Sequence, residues 1–584
     1  MSDPFVNAIA RLVPEVPPHL VERPPDPALG DYALPCFALA KARRKAPPAI
    51  AAELAAELAP RLGEAQHQGA PLFTAVEAAG PYLNFRADAG QMARLTLPSI
   101  LDGSYFQQNR APAGGSRKVM VEYSQPNTHK AFHVGHMRNV ALGDALARIL
   151  AYNGQQVTAA NYIGDVGTHI AKCLWFYQRH LGRLPKEKQT PQPGQDRGEW
   201  LGELYTAATL MLEDAPKEQR EVYQKEVGQV LQQLESGQGE AHALWQETRA
   251  WSLESFQDIY RWLGARFDHW FYESEMEAGR RIVEEGLAKG VFIRSEGAVG
   301  ADLEADGLGF LLVLKADGTT LYSTKDLALA EMKFDRFGMD ESVYVVGAEQ
   351  TLHFKQVFKV LEKLGYPQAG RSVHLAYGLV MLPEGKMSSR AGNVILFSAL
   401  RERMNRFIVE HYLEAHRGDW RDEEIDETCR RIAVAAIRYG MVKQDPSKVI
   451  VFNLEDWLVA EGDTGVYLCY AYTRVQSIFR ALGKFGRADA DLTLLTHPTE
   501  RALIRELHDF NRAAEAAARL MRPNLLAGTL FALAKAFSRA YAAVSVKNAE
   551  TPALGEARLA LFDAAGRVLK EGLELLGITP PERM

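Results

Sequence analysis

Near residue 120, the pattern of apolar and polar positions predicts a strand, a loop and a long helix. Residues 119–123 form a short apolar run that is typical of a buried strand. Turn-forming residues follow at 124–127, and apolar side chains then recur with helical spacing from Val134 to Gly154, where a helix is expected to end. A second apolar run at residues 157–162 completes a strand–helix–strand unit, which favours a doubly wound parallel sheet.

The pattern changes on both sides of this unit. Before it, two prolines at residues 47–48 predict the start of a helix, and residues 80–85 read as a strand after a turn. After it, a polar loop rich in proline and glycine precedes a run of helical patterns, with one buried strand at residues 343–347. The predicted helices of this second part lie at residues 200–211, 217–235, 240–263, 326–333, 352–364, 424–440, 464–482, 500–520 and 525–546.

We therefore expect an α/β fold with a Rossmann-type parallel sheet at its centre, interrupted by an insertion after which the sheet resumes. A small α/β domain should precede the sheet, and an all-helical bundle should follow it. The expected segments are the N-terminal domain at 1–110, the first half of the sheet at 117–180, the mostly helical insertion at 181–295, the second half at 296–399 and the bundle at 400–584.

Composition excludes several classes of protein. With 584 residues the chain should form three or four domains, and 47% apolar with 24% charged residues is ordinary for a globular protein in water. No apolar run approaches the roughly 18 residues that cross a membrane, and the first residues do not resemble a secretion signal. The four cysteines form no Cys-x-x-Cys pair, which argues against structural zinc and disulfides. We expect a cytoplasmic protein without membrane contact or structural metal.

The net charge of −6 does not by itself indicate a nucleic-acid binder, but its distribution is uneven. Residues 471–584 contain 16 basic and 12 acidic side chains and therefore carry a charge of +4, whereas the preceding residues carry −10. A modestly basic end on an acidic body is compatible with local phosphate contacts. Basic helical faces that are merely solvated look the same.

The first candidate functional residues, His133, Gly135 and His136, lie at the N-terminus of the first long helix. Histidine donors, a glycine and a helix N-terminus together suit a bound triphosphate. Histidines that only cap a helix would give the same four-residue pattern. A second element, the residues Lys-Met-Ser-Ser-Arg at 386–390, follows 250 residues later in a loop that could close over phosphates.

Together, the two elements resemble the signature pair of class I aminoacyl-tRNA synthetases. Neighbouring motifs narrow the resemblance to the arginyl-tRNA synthetase family, and it covers nearly the whole chain. The motifs that carry it lie at residues 124–130, 161–167, 317–326, 464–471 and 575–584.

The resemblance implies that L-arginine is activated by ATP to arginyl-AMP, with release of pyrophosphate, and is then transferred to the 3′-terminal adenosine of a tRNA. The substrates would be L-arginine, ATP and tRNA, with Mg²⁺ bridging the phosphates of ATP and no protein metal cage. ATP would be held by two loops: residues 133–136, which we call the histidine loop, and residues 386–390, which we call the distal loop. The residues implied in ATP binding and catalysis are His133, Gly135, His136, Lys386, Ser388 and Ser389.

One departure concerns the distal loop. Class I loops usually read Lys-Met-Ser-Lys, and Ser389 stands here in place of the second lysine. In members of the family that lack this lysine, a lysine three residues before the first histidine resembles a substitute, and Lys130 stands at that position. A solvated surface lysine is the alternative interpretation.

Arginine recognition requires an acidic pocket that matches the donor geometry of a guanidinium group. By motif position, Glu122 and Asp326 would supply the carboxylates, and Tyr322 would contact the guanidinium. The α-amino end would meet Asn127 and Gln350, and Ser124 completes the implied arginine site. A structural ion pair is the alternative for Glu122, and ordinary core packing is the alternative for Tyr322.

The helical bundle resembles the anticodon-binding domain of the family. This resemblance implies contacts between unstacked tRNA bases and Tyr467, Tyr470, Tyr541 and the terminal Met584. By composition alone, the tyrosines would be core residues. In the family the N-terminal domain also contacts tRNA, at its outer corner, and we expect a monomer.

Two other functions fit parts of the sequence. A class I synthetase for another amino acid would share both signature loops, but Glu122 with Asp326 argues against it. A tRNA-binding paralogue that no longer acylates would share the whole fold, but the intact His133, His136 and Lys386 argue against that.

Overall fold

The computed structural model describes residues 3–24, 26–110, 115–182, 189–276, 279–316, 321–383, 385–386 and 394–584, with the backbone alone at 27, 280 and 386. Ser388 and Ser389 lie outside the described residues. None of the helices in the described ranges combines the length and the apolar character that crossing a membrane requires.

The N-terminal part is a small domain of helices and antiparallel strands. Its elements are α1 (Pro4–Leu12), β1 (Tyr32–Pro35), α2 (Phe37–Arg43), α3 (Pro47–Leu58), β2 (Gln66–His67), β3 (Ala70–Pro71), β4 (Phe73–Ala79), β5 (Tyr82–Ala87) and α4 (Ala89–Asp102). Three strands form a sheet in the order β1-β5-β4, and β2 pairs with β3. The helix predicted from residue 47 and the strand predicted at 80–85 are confirmed as α3 and β5.

The central part contains the predicted parallel sheet. Its elements are β6 (Lys118–Glu122), α5 (Val134–Tyr152), β7 (Gln156–Ile163), α6 (Thr168–Phe176), α7 (Arg197–Asp214), α8 (Lys217–Ser236), α9 (Glu240–Leu263), β8 (His269–Tyr272), α10 (Gly279–Ala288), β9 (Ile293–Ser295), β10 (Ala298–Asp302), β11 (Phe310–Leu314), α11 (Tyr322–Asp335), β12 (Glu341–Gly347), α12 (Thr351–Leu364) and β13 (Ser372–Tyr377). Five strands run parallel in the order β13-β12-β6-β7-β8. The order reverses between β6 and β12, and ligands of such sheets bind beyond the strand ends at this point.

Strand β8 lies where the sequence predicted only the helical insertion. Its four residues pair in parallel with Ala160–Ile163 of β7, so the sheet resumes at His269 rather than after residue 295. The run His-Trp-Phe-Tyr is short and follows directly on a helical pattern, so it did not stand out as a strand. A second, antiparallel sheet of β11, β10 and β9 packs against α10, α11 and α12.

The C-terminal part is dominated by helices. Its elements are β14 (Val380–Leu382), β15 (Gly385–Lys386), α13 (Phe397–Ile408), α14 (Asp422–Val442), β16 (Ile450–Val451), α15 (Leu454–Leu458), α16 (Gly465–Leu482), α17 (Pro498–Leu520), α18 (Pro523–Ala543) and α19 (Pro552–Leu575). The four helices predicted beyond residue 400 are confirmed as α14, α16, α17 and α18. Strand β16 is an exception to the helical pattern, and it pairs with β14.

A buried charge cluster fastens this helical part to the sheet. Arg438 of α14 donates to Asp144 of α5 at 2.9 Å, and Arg148 donates to the same carboxylate at 2.8 Å. Arg438 also donates to the carbonyl of Leu263 at the end of α9. The positive charges hold the pKa of the buried Asp144 below its usual value, although burial alone would raise it. The helix that begins at the histidines is thereby fixed to the C-terminal helices.

Candidate active site

The histidine loop lies at the switch point between β6 and β12, at the start of α5. His133 has an extended backbone and caps the helix, and its Nδ1 atom accepts the N–H of Gly135 at 3.1 Å. The N–H of His133 donates in turn to Nδ1 of His136 at 3.2 Å, and the two ring centroids are 3.9 Å apart. Because Nδ1 is an acceptor in both rings, each neutral ring carries its proton on Nε2. The loop therefore offers two N–H donors at the edges of the imidazoles.

Both histidines are uncharged at neutral pH. Burial lowers the pKa of His133 to about 4. Burial also lowers the pKa of His136 well below its ordinary value, and the neighbouring His133 ring and the charge of Lys130 act in the same direction. A histidine whose pKa is lowered in this way stays neutral between pH 6 and 8, so its N–H group can donate to a phosphate oxygen throughout that range.

The chain that follows the distal loop lies beside the histidines. Strand β15, which ends at Lys386, pairs with β14, and Leu396 on the far side of the loop bridges to His133. The N–H of Val134 donates to the carbonyl of Ile395 at 3.1 Å. The backbone after the loop is thus paired with the histidine loop, although the two are about 250 residues apart in the sequence.

Lys130 lies between the histidine loop and the insertion. Its ammonium nitrogen is 5.2 Å from the centroid of the Tyr205 ring on α7. Its charge contributes to the lowered pKa of both His136 and His169. The lysine that the sequence predicted as a substitute is therefore close to His136.

Glu122, at the end of β6, belongs to a buried ion pair. Its carboxylate is 2.6 Å from the ammonium of Lys333, and both side chains are buried. The amide of Gln125 donates to the same carboxylate at 2.8 Å. The Lys333 ammonium also lies 3.8 Å from the centroid of the Tyr344 ring. Lys333 therefore provides a counter-charge for Glu122 within the protein.

Two further carboxylates line the same edge of the sheet. Asp326 of α11 accepts a hydrogen bond from Nε2 of His353 at 2.5 Å, and Glu273, directly after β8, accepts one from Lys325 at 2.8 Å. Burial raises the pKa of Glu273, and the charges of nearby Asp165 and Asp326 act in the same direction. We refer to Asp326 and Glu273, two carboxylates close enough for one to influence the pKa of the other, as the acidic slot.

The hydroxyl group of Tyr162 is buried at this slot, and no described residue forms a hydrogen bond with it. Burial raises its pKa well above the ordinary value, with further contributions from Asp326, Glu273, Glu122 and Asp165. An unpartnered buried hydroxyl beside several carboxylates is typical of a site that a polar ligand completes.

The other predicted arginine contacts differ in exposure and in their neighbours. Tyr322 is 63% exposed one helical turn before Asp326, so it is not a core residue. The hydroxyl of Ser124 is buried and lies 2.6 Å from that of Tyr260. Asn127 lies against Gly164, where an added Cβ would come within 2.2 Å of its Oδ1. Gln350 is exposed at the start of α12.

Sequence reasoning missed three ionisable partners of this site, namely Glu273, Lys333 and His353. Glu273 directly follows β8, a strand that the sequence did not predict. The rule that ligands bind at the ends of parallel strands therefore gave no reason to select it. Lys333 and His353 lie on helices, and nothing in their local pattern shows which carboxylate they face.

The predicted tRNA contacts lie on α16, α18 and the chain end. Arg474 lies 4.4 Å from the ring centroid of Tyr470 and 5.5 Å from that of Tyr541, which is 38% exposed. The hydroxyl of Tyr467 donates to Ser538 at 3.0 Å, and Met584 is half-buried against the helices. Tyr470, Tyr541 and Arg474 thus form one surface cluster, whereas Tyr467 is tied to α18.

Within the described residues, no three or more histidine, cysteine, aspartate or glutamate side chains are grouped so that they could hold a metal ion. The four cysteines are buried and unpaired.

Family models match three parts of the chain. The model of the class I tRNA synthetase (R) catalytic domain matches residues 97–454, and that of the DALR anticodon binding domain matches 468–584. The model of the arginyl tRNA synthetase N terminal domain matches 2–87. The fold and the site are therefore those of a class I aminoacyl-tRNA synthetase.

Relatives and solved structures narrow the class. The arginine–tRNA ligase of Bdellovibrio bacteriovorus is 43% identical over 96% of this chain and 93% of its own length. That of Clostridium acetobutylicum is 33% identical over 99% of this chain and 98% of its own. The structure of Thermus thermophilus arginyl-tRNA synthetase superimposes with a TM-score of 0.80 at 32% identity, covering 99% of each chain. The chain belongs to the arginyl-tRNA synthetase family.

Proposed function

We propose that the site at the sheet edge carries out both steps of the family reaction in this chain. L-arginine is activated by ATP to arginyl-AMP with release of pyrophosphate, and arginine is then transferred to the 3′-terminal adenosine of tRNA. One observation carries the proposal: the neutral pair His133 and His136 and the acidic slot of Asp326 and Glu273 lie at the same edge of one parallel sheet.

ATP is assigned to the histidine side of this edge. Attack of a carboxylate on the α-phosphate builds negative charge, so fixed donors and cations lower the barrier. We assign the Nε2–H groups of His133 and His136 to phosphate oxygens, with Gly135 allowing close approach. Lys130 is assigned the role of the missing loop lysine. Lys386, Ser388 and Ser389 are assigned to the pyrophosphate.

Arginine is assigned to the acidic side. Asp326 and Glu273 would accept the donors of the guanidinium, with the exposed Tyr322 against its face. Glu122 is paired with Lys333, so its carboxylate would bind the substrate and the Lys333 ammonium at the same time. The α-amino end is assigned to Asn127 and Gln350, and the Ser124 hydroxyl completes the pocket wall.

Mg²⁺ is expected to accompany ATP and to neutralise phosphate charge there. No step in this proposal requires the protein to hold it in a cage. Charging of an amino acid without a guanidinium group is disfavoured because the hydrogen bonds of that group to Asp326 and Glu273 would be lost, and loss of a hydrogen-bonding group can cost roughly 10⁴–10⁵-fold. An editing domain is therefore not required.

tRNA is assigned to both ends of the chain. The bundle at 400–584, with Tyr467, Tyr470, Tyr541 and Met584, would bind the anticodon, and the domain at 1–110 would contact the outer corner of the tRNA. Support for the first comes from the Arg474 guanidinium between two tyrosine rings, a pairing suited to stacked bases. The segments 117–180 and 296–399 would bind ATP and arginine, with 181–295 as the insertion. We propose a cytoplasmic monomer.

The test is pyrophosphate exchange in the presence of arginine, measured with and without tRNA. Exchange that depends on arginine, and not on cysteine or lysine, is expected. Exchange with another amino acid would identify a different synthetase. Binding of tRNA without exchange or charging under any condition would identify a paralogue that has lost catalysis.

A further inference from the structure

One face of helix α7 contacts the residues just before the histidine loop and the start of α13, the helix that follows the distal loop. Glu199, Gly202 and Tyr205 are spaced three residues apart and therefore lie on the same side of the helix. Helix α7 belongs to the segment predicted as an insertion, which was assigned no role in the chemistry. Each of the three residues makes a different contact with these segments.

Glu199 binds the chain where it returns from the Lys386 loop. The N–H and the hydroxyl of Ser398 donate to its two carboxylate oxygens at 3.0 and 2.6 Å. Ser398 is in the first turn of α13, where N–H groups have no partner within the helix and a negative charge is favourable. Two residues earlier, Leu396 bridges to His133. Glu199 therefore fixes the exit of the distal loop.

Gly202 allows the backbone of α7 to lie directly against the histidine loop. A Cβ at this position would come within 2.5 Å of the backbone nitrogen of Ala131 and within 2.7 Å of its Cβ. Real side chains do not reach such distances, so only glycine fits without displacing the loop. Ala131 is the residue directly after Lys130.

Tyr205 presents its ring to Lys130 itself. The ammonium nitrogen lies 5.2 Å from the ring centroid, and Tyr205 is buried. A cation at this distance is attracted by the negative face of the ring. The Lys130 side chain has four rotatable bonds, and such a contact restricts it to fewer conformations beside His136.

We propose that the α7 face formed by Glu199, Gly202 and Tyr205 is a positioning element for the activation step. This face holds the Lys130 ammonium beside the histidine loop. It also fixes the position of the chain that follows the distal loop relative to the histidine loop. Tyr205 is then a positioning residue that acts through Lys130, and Glu199 acts through Ser398. The inference rests on the proposed role of Lys130 as the substitute for the missing loop lysine.

The experiment measures kcat and KM for pyrophosphate exchange in the full chain with tRNA present. Tyr205→Leu should lower kcat roughly three- to thirtyfold without changing KM for arginine, because the cation loses its ring. Tyr205→Phe retains the ring and should remain close to the unmodified enzyme. In a Lys130→Ala background, Tyr205→Leu should have no further effect. Tyr223→Leu, whose ring faces Arg179 elsewhere in the insertion, is the matched control.

Three outcomes would overturn the inference. An equal loss from Tyr205→Leu with and without Lys130 would show that the ring does not act through Lys130. An unchanged kcat in Tyr205→Leu would show that the ring does not contribute to the step. A loss in Tyr205→Phe as large as in Tyr205→Leu would assign the effect to the hydroxyl. If Lys130→Ala itself retains full activity, the failure lies instead with the proposed function of that lysine.

The Glu199 contact provides a second test should Tyr205→Leu not fold. Glu199→Gln can still accept the Ser398 N–H and donate to its hydroxyl, whereas Glu199→Ala can do neither. We expect Glu199→Ala to raise KM for ATP at least fivefold and Glu199→Gln to raise it less than twofold. Equal KM values in the two variants would exclude a positioning role for Glu199.

Discussion

The backbone N–H of His133 donates to Nδ1 of His136 at 3.2 Å and fixes the tautomer of that ring, as the N–H of Gly135 fixes the tautomer of His133. A ring that accepts at Nδ1 must donate at Nε2 while it is neutral. Because burial lowers the pKa of both rings, this arrangement persists through the physiological pH range. The loop is thereby set up to donate to an anion without itself carrying a charge.

The first prediction concerns the donor atom of His136. In His136→Gln the amide nitrogen can reach the place of Nε2, whereas in His136→Asn it reaches only the place of Nδ1. We expect Asn to lower kcat of pyrophosphate exchange about 10²–10³-fold, as for loss of one oriented donor, and Gln to retain about tenfold more activity. Equal activity in the two variants would contradict the assignment of the donor.

The second prediction concerns Glu122 and its partner. Glu122→Gln leaves the buried Lys333 ammonium without a counter-charge and should cost about 3–5 kcal/mol of stability, measured by urea unfolding. The double variant with Lys333→Met should recover most of this loss. The exposed Glu402→Gln, which loses only a surface pair with Arg406, should cost less than about 1 kcal/mol.

Arginine affinity in the same double variant decides between the two interpretations of Glu122. An unchanged KM for arginine would mean that the ion pair is purely structural. A raised KM in a stable protein would support the predicted contact with the substrate.

The third prediction concerns the acidic slot. Asp326→Asn removes a charge that would face the guanidinium, and KM for arginine should rise about 100-fold while KM for ATP stays constant. Asp335→Asn, an exposed residue at the end of the same helix, is the matched control. A parallel rise in both KM values would instead indicate damage to the fold.

The fourth prediction concerns acid stability. Burial lowers the pKa of His129 to about 3, and its ring contacts the hydroxyls of Thr128 and Thr248. As pH falls from 7 to 5, the unfolded chain takes up a proton at this residue and the folded chain does not, so stability falls. The urea midpoint of the unmodified protein should therefore drop more over this range than that of His129→Gln. An identical drop would contradict the lowered pKa.

The fifth prediction concerns tRNA. Tyr541→Leu should weaken tRNA binding roughly 5- to 100-fold, as for loss of one stacked base, and deletion of Met584 should weaken charging far more than ATP binding. KM for arginine at saturating tRNA should not change in either variant. Phe310→Leu, an exposed aromatic on the small antiparallel sheet, is the control for general surface effects.

Local patterns were sufficient for much of the fold. Helices α5, α9 and α16 and strands β6 and β12 were predicted because hydrophobic periodicity and end signals lie within each segment. The histidine loop was predicted for the same reason, because its histidines, its glycine and the N-terminus of the helix are adjacent in the chain. Strand β8 was missed because four aromatic residues are too few to show a period.

The sequence by itself determined most of the long helices, the strands β6, β7 and β12, the two signature loops and, through its motifs, the family. Only the tertiary structure decided which partner each ionisable side chain meets: Lys333 lies at Glu122, His353 at Asp326 and Tyr205 at Lys130. Such pairs join residues that are tens to hundreds of positions apart. A charged side chain carries no local sign of its partner, because the energy of the pair depends on the distance and burial that folding creates.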